Sequence, residues 1–161
     1  MKRCIIRSIF LQVLLCLLLA ANTAAQEFFN DRYGFAVEIP TDRYFPHKPP
    51  ANGDGRRFEA YNNSGVTVAF YAHYNVFYAL SVDAVISLKE RSNIVDVEYS
   101  PTFYRLCYEL DGVRYLTHTM LKGYTVYSAE FVAPIDIFDN YLPDFEKMRA
   151  SWIIGFEVEH E

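Results

Sequence analysis

The sequence predicts an α+β layered domain with a single core, and three observations carry that expectation. Residues 94–134 are rich in Tyr, Val, Thr and Phe and are cut into short runs by turn dipeptides, the composition of strands. Phe138, Leu142, Phe145, Met148 and Trp152 then recur in steps of four, three, three and four, the stripe of an amphipathic helix. No internal repeat, low-complexity tract or long polar linker follows Gln26, so one domain accounts for the rest of the chain.

The first 25 residues are of another kind. Lys2, Arg3 and Arg7 carry positive charge with no acid among them, and an apolar stretch over 9–21 follows, broken only by Gln12. That is the charged head and apolar body of a cleavable secretory leader. The apolar stretch is shorter than the ~20 residues a bilayer-spanning helix needs, and it ends in Ala20, Ala21, Ala24 and Ala25 rather than in basic residues. Small side chains at Thr23 and Ala25 place the cut between Ala25 and Gln26. A lipoprotein signal ending at Cys16 would need a small residue before it, and Leu15 stands there. The expected destination is therefore the periplasm or the extracellular space, with no membrane span in the mature chain.

Removal of the leader changes what can bind. The chain has 15 basic and 20 acidic residues; without Lys2, Arg3 and Arg7 it keeps 12 against 20, a formal charge of −8. An acidic domain without a basic run repels nucleic acid, so nucleic acid is excluded as an expected partner. Cys4 and Cys16 leave with the leader, and Cys107 alone cannot form an internal disulfide. Stability must then come from the core, to which all 13 Tyr and 12 of the 13 Phe are available after Ala25.

The elements follow in order. Phe35, Val37 and Ile39 alternate with Ala36 and Glu38, a short strand with one apolar face. Residues 40–57 hold Pro40, Pro46, Pro49, Pro50, Gly53 and Gly55, too many breakers for a helix or a central strand. Strands are expected over 58–61 and 66–73, joined by a turn at Asn62, Asn63, Ser64 and Gly65. Residues 81–91 read as a helix capped by Ser81, with Asp83 in its first turn and Lys89 and Arg91 in its last. Strands over 94–99, 102–110, 113–121 and 124–132 follow, with two-residue turns at Asp111–Gly112 and Lys122–Gly123. The closing helix runs through Trp152 and begins near Tyr141, because Pro143 is best tolerated in a first turn.

The segment Asp31, Arg32, Tyr33, Gly34, Phe35, leading through Val37 and Glu38 to Ile39 and Pro40, resembles the opening of the PsbP-like superfamily. So do Asn52, Gly53, Asp54, Gly55, Arg56 followed by Phe58, and a final helix closing on Ala150, Ser151 and an aromatic, here Trp152. That superfamily includes the extrinsic photosystem II protein, a Ran-binding import factor and many exported bacterial proteins. The resemblance implies an α/β/α sandwich, a central antiparallel sheet with helices on both faces, and a bacterial host. It supplies no catalytic residue, and no residue here maps onto either known interface.

Candidate sites come from the residues themselves. In the loop of Asn52, Gly53, Asp54, Gly55 and Arg56, the glycines permit tight turns, and Asp54 and Arg56 could meet an anion or a partner protein. It lacks the ligand spacing of a calcium loop. If Lys122–Gly123 is the turn, Arg105, His118 and Tyr127 fall on one sheet face with Cys107 one pair away, a polar cluster able to line a small-molecule pocket. Ordinary cross-strand pairing is the stronger explanation of the cluster, and a mid-strand cysteine is ordinarily a small buried hydrophobe. The tyrosines around Tyr71, Tyr74 and Tyr78 would make an amphipathic contact surface if exposed. His47, His73 and His160 share no metal-ligand spacing, so neither zinc nor another cofactor is expected. Asn62, Asn63, Ser64 is formally a glycosylation sequon.

The leading expectation is an exported, non-enzymatic binding domain with a protein partner in the cell envelope. The alternatives are a small-molecule binder or enzyme using Arg105, His118 and Tyr127, and a structural factor of envelope assembly.

Overall fold

A computed structural model describes residues 25–75 and 93–155. Residues 1–24 of the leader and the expected helix over 81–91 lie outside the described residues, as do Tyr78 and His160.

Strands β1 (Ala25–Asn30), β2 (Phe35–Pro40), β3 (Tyr44–Pro46), β4 (Gly55–Ala60) and β5 (Thr67–Tyr74) come first. They are followed by β6 (Asn93–Ser100), β7 (Phe103–Leu110), β8 (Val113–Lys122) and β9 (Thr125–Pro134), then helix α1 (Phe138–Ser151) and the short β10 (Ile153–Ile154). Seven strands form one antiparallel sheet in the order β3-β4-β5-β9-β8-β7-β6, and β1-β2-β10 form a second sheet of three.

The alternation in β5 and β9 builds the core. Val68, Phe70 and Ala72 point to the same face of the large sheet as Tyr127, Ala129, Phe131 and Ala133, and all are buried. Onto that face pack Phe35, Val37 and Ile39 from the small sheet and Phe138, Phe145 and Met148 from α1. Trp152 closes the layer edge-on to Phe35 and Phe70, at centroid distances of 6.4 and 5.5 Å.

The α/β/α sandwich is therefore corrected. Strands make up 59% of the described residues and one helix makes up 12%, in two antiparallel sheets, without helices on both faces of a central one. The physical reason lies in the layer over the core face. Half of it is the three-stranded sheet, made when residues before Asn30 and after Trp152 add strands to the two edges of β2.

Local turns set the registers. Asp111 and Gly112 both take positive φ, at 51° and 79°, the type I′ hairpin turn their dipeptide predicts, so Leu110 pairs with Val113. The next hairpin turns at Gly123–Tyr124 instead of Lys122–Gly123. Gly123 alone has positive φ, at 60°, which fits glycine in the first central position of a type II′ turn, and Lys122 pairs with Thr125. α1 begins at Phe138, three residues before the expected start, and carries Pro143 inside it. At the sheet's open edge, β6 shifts register between Ile94 and Asp96, a bulge at Val95, and leaves Asp96 and Glu98 exposed.

Candidate functional site

The turn between β1 and β2 and the 52–56 loop are tied together by polar side chains. Asn30 accepts the Tyr33 amide at 3.1 Å and donates through Nδ2 to the Gly53 carbonyl at 3.0 Å. The Tyr33 hydroxyl donates to Asp54 Oδ1 at 3.0 Å, and Arg32 pairs with the same carboxylate at 3.3 Å while also donating to the Asn52 carbonyl. Asp54 in turn accepts from Asn52 Nδ2, and its carbonyl accepts the Ala72 amide of β5 at 2.8 Å. Burial, and then the Asp54 carboxylate, hold the Tyr33 phenol above its ordinary range, so it stays a donor. The loop is a rigid, exposed ridge whose polar groups largely answer one another. Tyr74, 54% exposed, sits beside it with its ring 5.2 Å from that of Tyr33, so loop and tyrosine share a surface.

Gly55 lets this ridge approach the sheet. It is buried against β5, and a Cβ there would run into the Phe70 carbonyl and the Tyr71 backbone. Beyond it, on the face of the large sheet turned away from the core, the ridge overhangs a cleft of about 510 Å³. His47, Lys48 and Pro50 wall the cleft with the ridge, and Arg57, Ala69, Tyr71 and Glu130 floor it. Arg57 pairs with Ala69 and Ala69 with Glu130, so one rung of the ladder sets a cation and an acid on either side of a small residue. Burial pushes the Glu130 carboxyl above the usual carboxylate range, against the pull of Arg57. Burial, and then Glu130, push the Tyr71 phenol to about 12. His47 is held aside by Glu59 at 2.7 Å and stacks on Phe45 at 5.6 Å. Sequence reasoning singled out Tyr71 only as part of an aromatic contact surface and missed Arg57 and Glu130 as site residues. The one available signal was Glu130 itself, an acid inside the otherwise uncharged run of β9.

Arg105, His118 and Tyr127 share the core face but do not converge. Arg105 faces His118 across the ladder, while His118 faces Ala129 and Tyr127 faces Met120. α1 lies across the histidine: His118 is 6% exposed, 6.0 Å from the Phe145 ring and 6.2 Å from that of Phe103. Burial first, and then the Arg149 charge, lower its pKa to about 4, and among the described residues its Nε2 has no hydrogen-bond partner. Arg105 turns outward to Asp96, and the Tyr127 hydroxyl donates to the Tyr33 carbonyl at 2.8 Å. Cys107 is buried as a free thiol, and burial raises its pKa. Leu116 faces the thiol from β8 and Asp96 from β6, and the Asp96 carboxylate is engaged by Arg105, so the thiol stays protonated.

Among the described residues, no three His, Cys, Asp or Glu gather in a metal-binding group, and no helix is long and apolar enough to cross a membrane.

No protein-family model matches the chain, and no curated protein does. Among solved structures, that of cyanobacterial PsbP (CyanoP) from Synechocystis sp. PCC 6803 superposes with a TM-score of 0.62. The match covers 84% of this chain and 95% of that one at 9% sequence identity. A crystal structure from Bacteroides thetaiotaomicron VPI-5482 covers 79% of this chain and 47% of its own at 14% identity. Its TM-score of 0.47 is too low to carry a common fold. The CyanoP likeness extends over nearly the whole of that molecule; the chain has a PsbP-like fold.

Proposed function

We propose that this protein is an exported binding domain of the cell envelope, periplasmic or extracellular, which engages its partner through the cleft under the 52–56 loop and performs no chemistry of its own. The observation that carries the reading is the cleft of about 510 Å³, within the range of small-ligand sites, overhung by a ridge fixed at Asn30, Tyr33 and Ala72. The leader supports export. The covering of His118 by α1 and the unactivated Cys107 weigh against the enzymatic alternative on the opposite face.

A photo-crosslinking side chain at Lys48, on the cleft wall, and another at the exposed Lys147 on α1 separate this surface from the rest. In envelope fractions the Lys48 position should give a discrete adduct absent from the Lys147 position. Equal labelling at both positions, or none at Lys48, overturns the reading. The protein partner and its identity belong to that experiment.

A further inference from the structure

The chemistry of the cleft floor narrows what it can take, granted the reading of the cleft as the binding surface. Glu130 sits in the middle of β9 with Ala69 on one side and Thr117 on the other. Among the described residues no side chain makes a hydrogen bond or close ion pair with its carboxylate; burial disfavours the charge there, and the pull of Arg57 along the rung only partly offsets it. A half-buried carboxylate without a donor is costly, and nothing in the packing of β9 requires one. Its natural complement is a cation supplied from the cleft.

The other end of the same rung carries the opposite demand. Arg57 is exposed on the cleft floor and makes no ion pair among the described residues. Lys48 adds a second positive charge at that end, since the amide of its neighbour His47 is bonded to the Arg57 carbonyl at 2.8 Å. Two strand spacings separate Arg57 from Glu130, about 10 Å between Cα atoms. Ala69 between them leaves the floor low, and Tyr71 borders it.

We propose that the cleft binds a short peptide of two or three residues with free termini, its ammonium group on Glu130 and its carboxylate on Arg57. An extended chain advances about 3.3–3.6 Å per residue, so two or three residues hold their end charges ~7–10 Å apart. The charges of a single amino acid are too close to satisfy both groups. A simple anion leaves Glu130 unanswered, and a simple amine leaves Arg57 so. Tyr71, kept neutral by its burial and hydrogen-bonded to Ser128, borders the peptide lying between.

Calorimetric titration of the full chain with trialanine, N-acetyl-trialanine and trialanine amide tests the assignment. Trialanine should saturate one site, and each blocked peptide should bind at least about tenfold more weakly. Glu130→Gln should erase the preference for the free amino end alone, and Arg57→Gln the preference for the free carboxylate alone. No saturable binding of trialanine, or equal binding of free and blocked peptides to the unmodified protein, overturns the proposal. A specific Lys48 adduct obtained alongside such a result would leave the cleft as a binding surface and remove only the peptide. Loss of that adduct as well would remove both.

Discussion

The Tyr33 hydroxyl reaches 3.0 Å across to the carboxylate of Asp54, joining the turn after β1 to a loop twenty-one residues further along. Two of the three motifs that carry the family resemblance thus form one hydrogen-bonded unit, which holds the ridge over the cleft. Tyr33→Phe keeps the ring and its packing on Tyr74 but deletes the donor. The expected cost is about 1–2 kcal/mol by urea denaturation, with faster amide exchange at 53–55. Unchanged protection at those amides would show that the contacts of Arg32, Asn52 and Ala72 suffice to hold Asp54.

His118 gives the fold an acid-sensitive core. Its folded pKa of about 4 lies below the ordinary 6.5, so the unfolded chain takes up a proton first as pH falls. Stability present at neutral pH should decline between about pH 6.5 and 4, by about 3 kcal/mol in all at 1.36 kcal/mol per pKa unit. His118→Leu removes both the titration and the orphaned Nε2. Urea midpoints should then match or exceed those of the parent at pH 7 and change little down to pH 4.5; a slope as steep as the parent's would assign the sensitivity elsewhere.

Glu130 acts with the opposite sign. Its raised carboxyl pKa means the folded state takes up that proton more readily than the unfolded chain, so ionisation at neutral pH opposes folding. Glu130→Gln should therefore raise the urea midpoint at pH 7, and the gain should disappear as pH falls through the carboxylate range. A destabilised variant would mean that the carboxylate has a structural partner.

Gly55 and Gly53 differ in what an added methyl group meets. At Gly53, with φ of +67° and open space around it, alanine meets only the left-handed backbone penalty of about 1–2 kcal/mol. At Gly55 the methyl collides with the β5 backbone, so Gly55→Ala should cost at least about 3 kcal/mol or abolish soluble expression. Similar thermal midpoints for the two variants would mean that the loop can lift off the sheet freely.

Phe145 is fully buried, stacked on Phe131 at 5.3 Å and set against His118. Phe145→Ala should cost about 3–5 kcal/mol. It should also move the His118 titration, followed by NMR, upward from about 4, because the ring that excludes water from the imidazole is gone. A loss of stability with no change in that titration would place the desolvation in Phe103.

How much of this was legible follows from the range of each interaction. The Asp111–Gly112 hairpin and the α1 stripe are written within a few residues, where local backbone preference and side-chain period decide them. The Gly123 turn was misplaced by one residue because Lys122–Gly123 and Gly123–Tyr124 both put a glycine at positive φ; only pairing across ten residues of β8 and β9 chooses between them. That shift moved His118 from Tyr127 to Ala129 without changing its face. The small sheet was illegible, since β1 and β10 are strands only by virtue of lying beside β2. The cleft was illegible too: Arg57, Ala69 and Glu130 are strangers in sequence and neighbours only across three strands.

The bulged outer margin of the large sheet has a consequence for life among many copies. A second molecule approaching β6 antiparallel would bring its own Asp96 and Glu98 toward those already there, and the kink at Val95 would break the straight row of amides such a union needs. At the opposite margin β3 is only three residues long and ends in Pro46, which has no amide to offer. Among the described residues, neither border of the large sheet offers a sibling molecule a straight, complete row of amides on which to extend it.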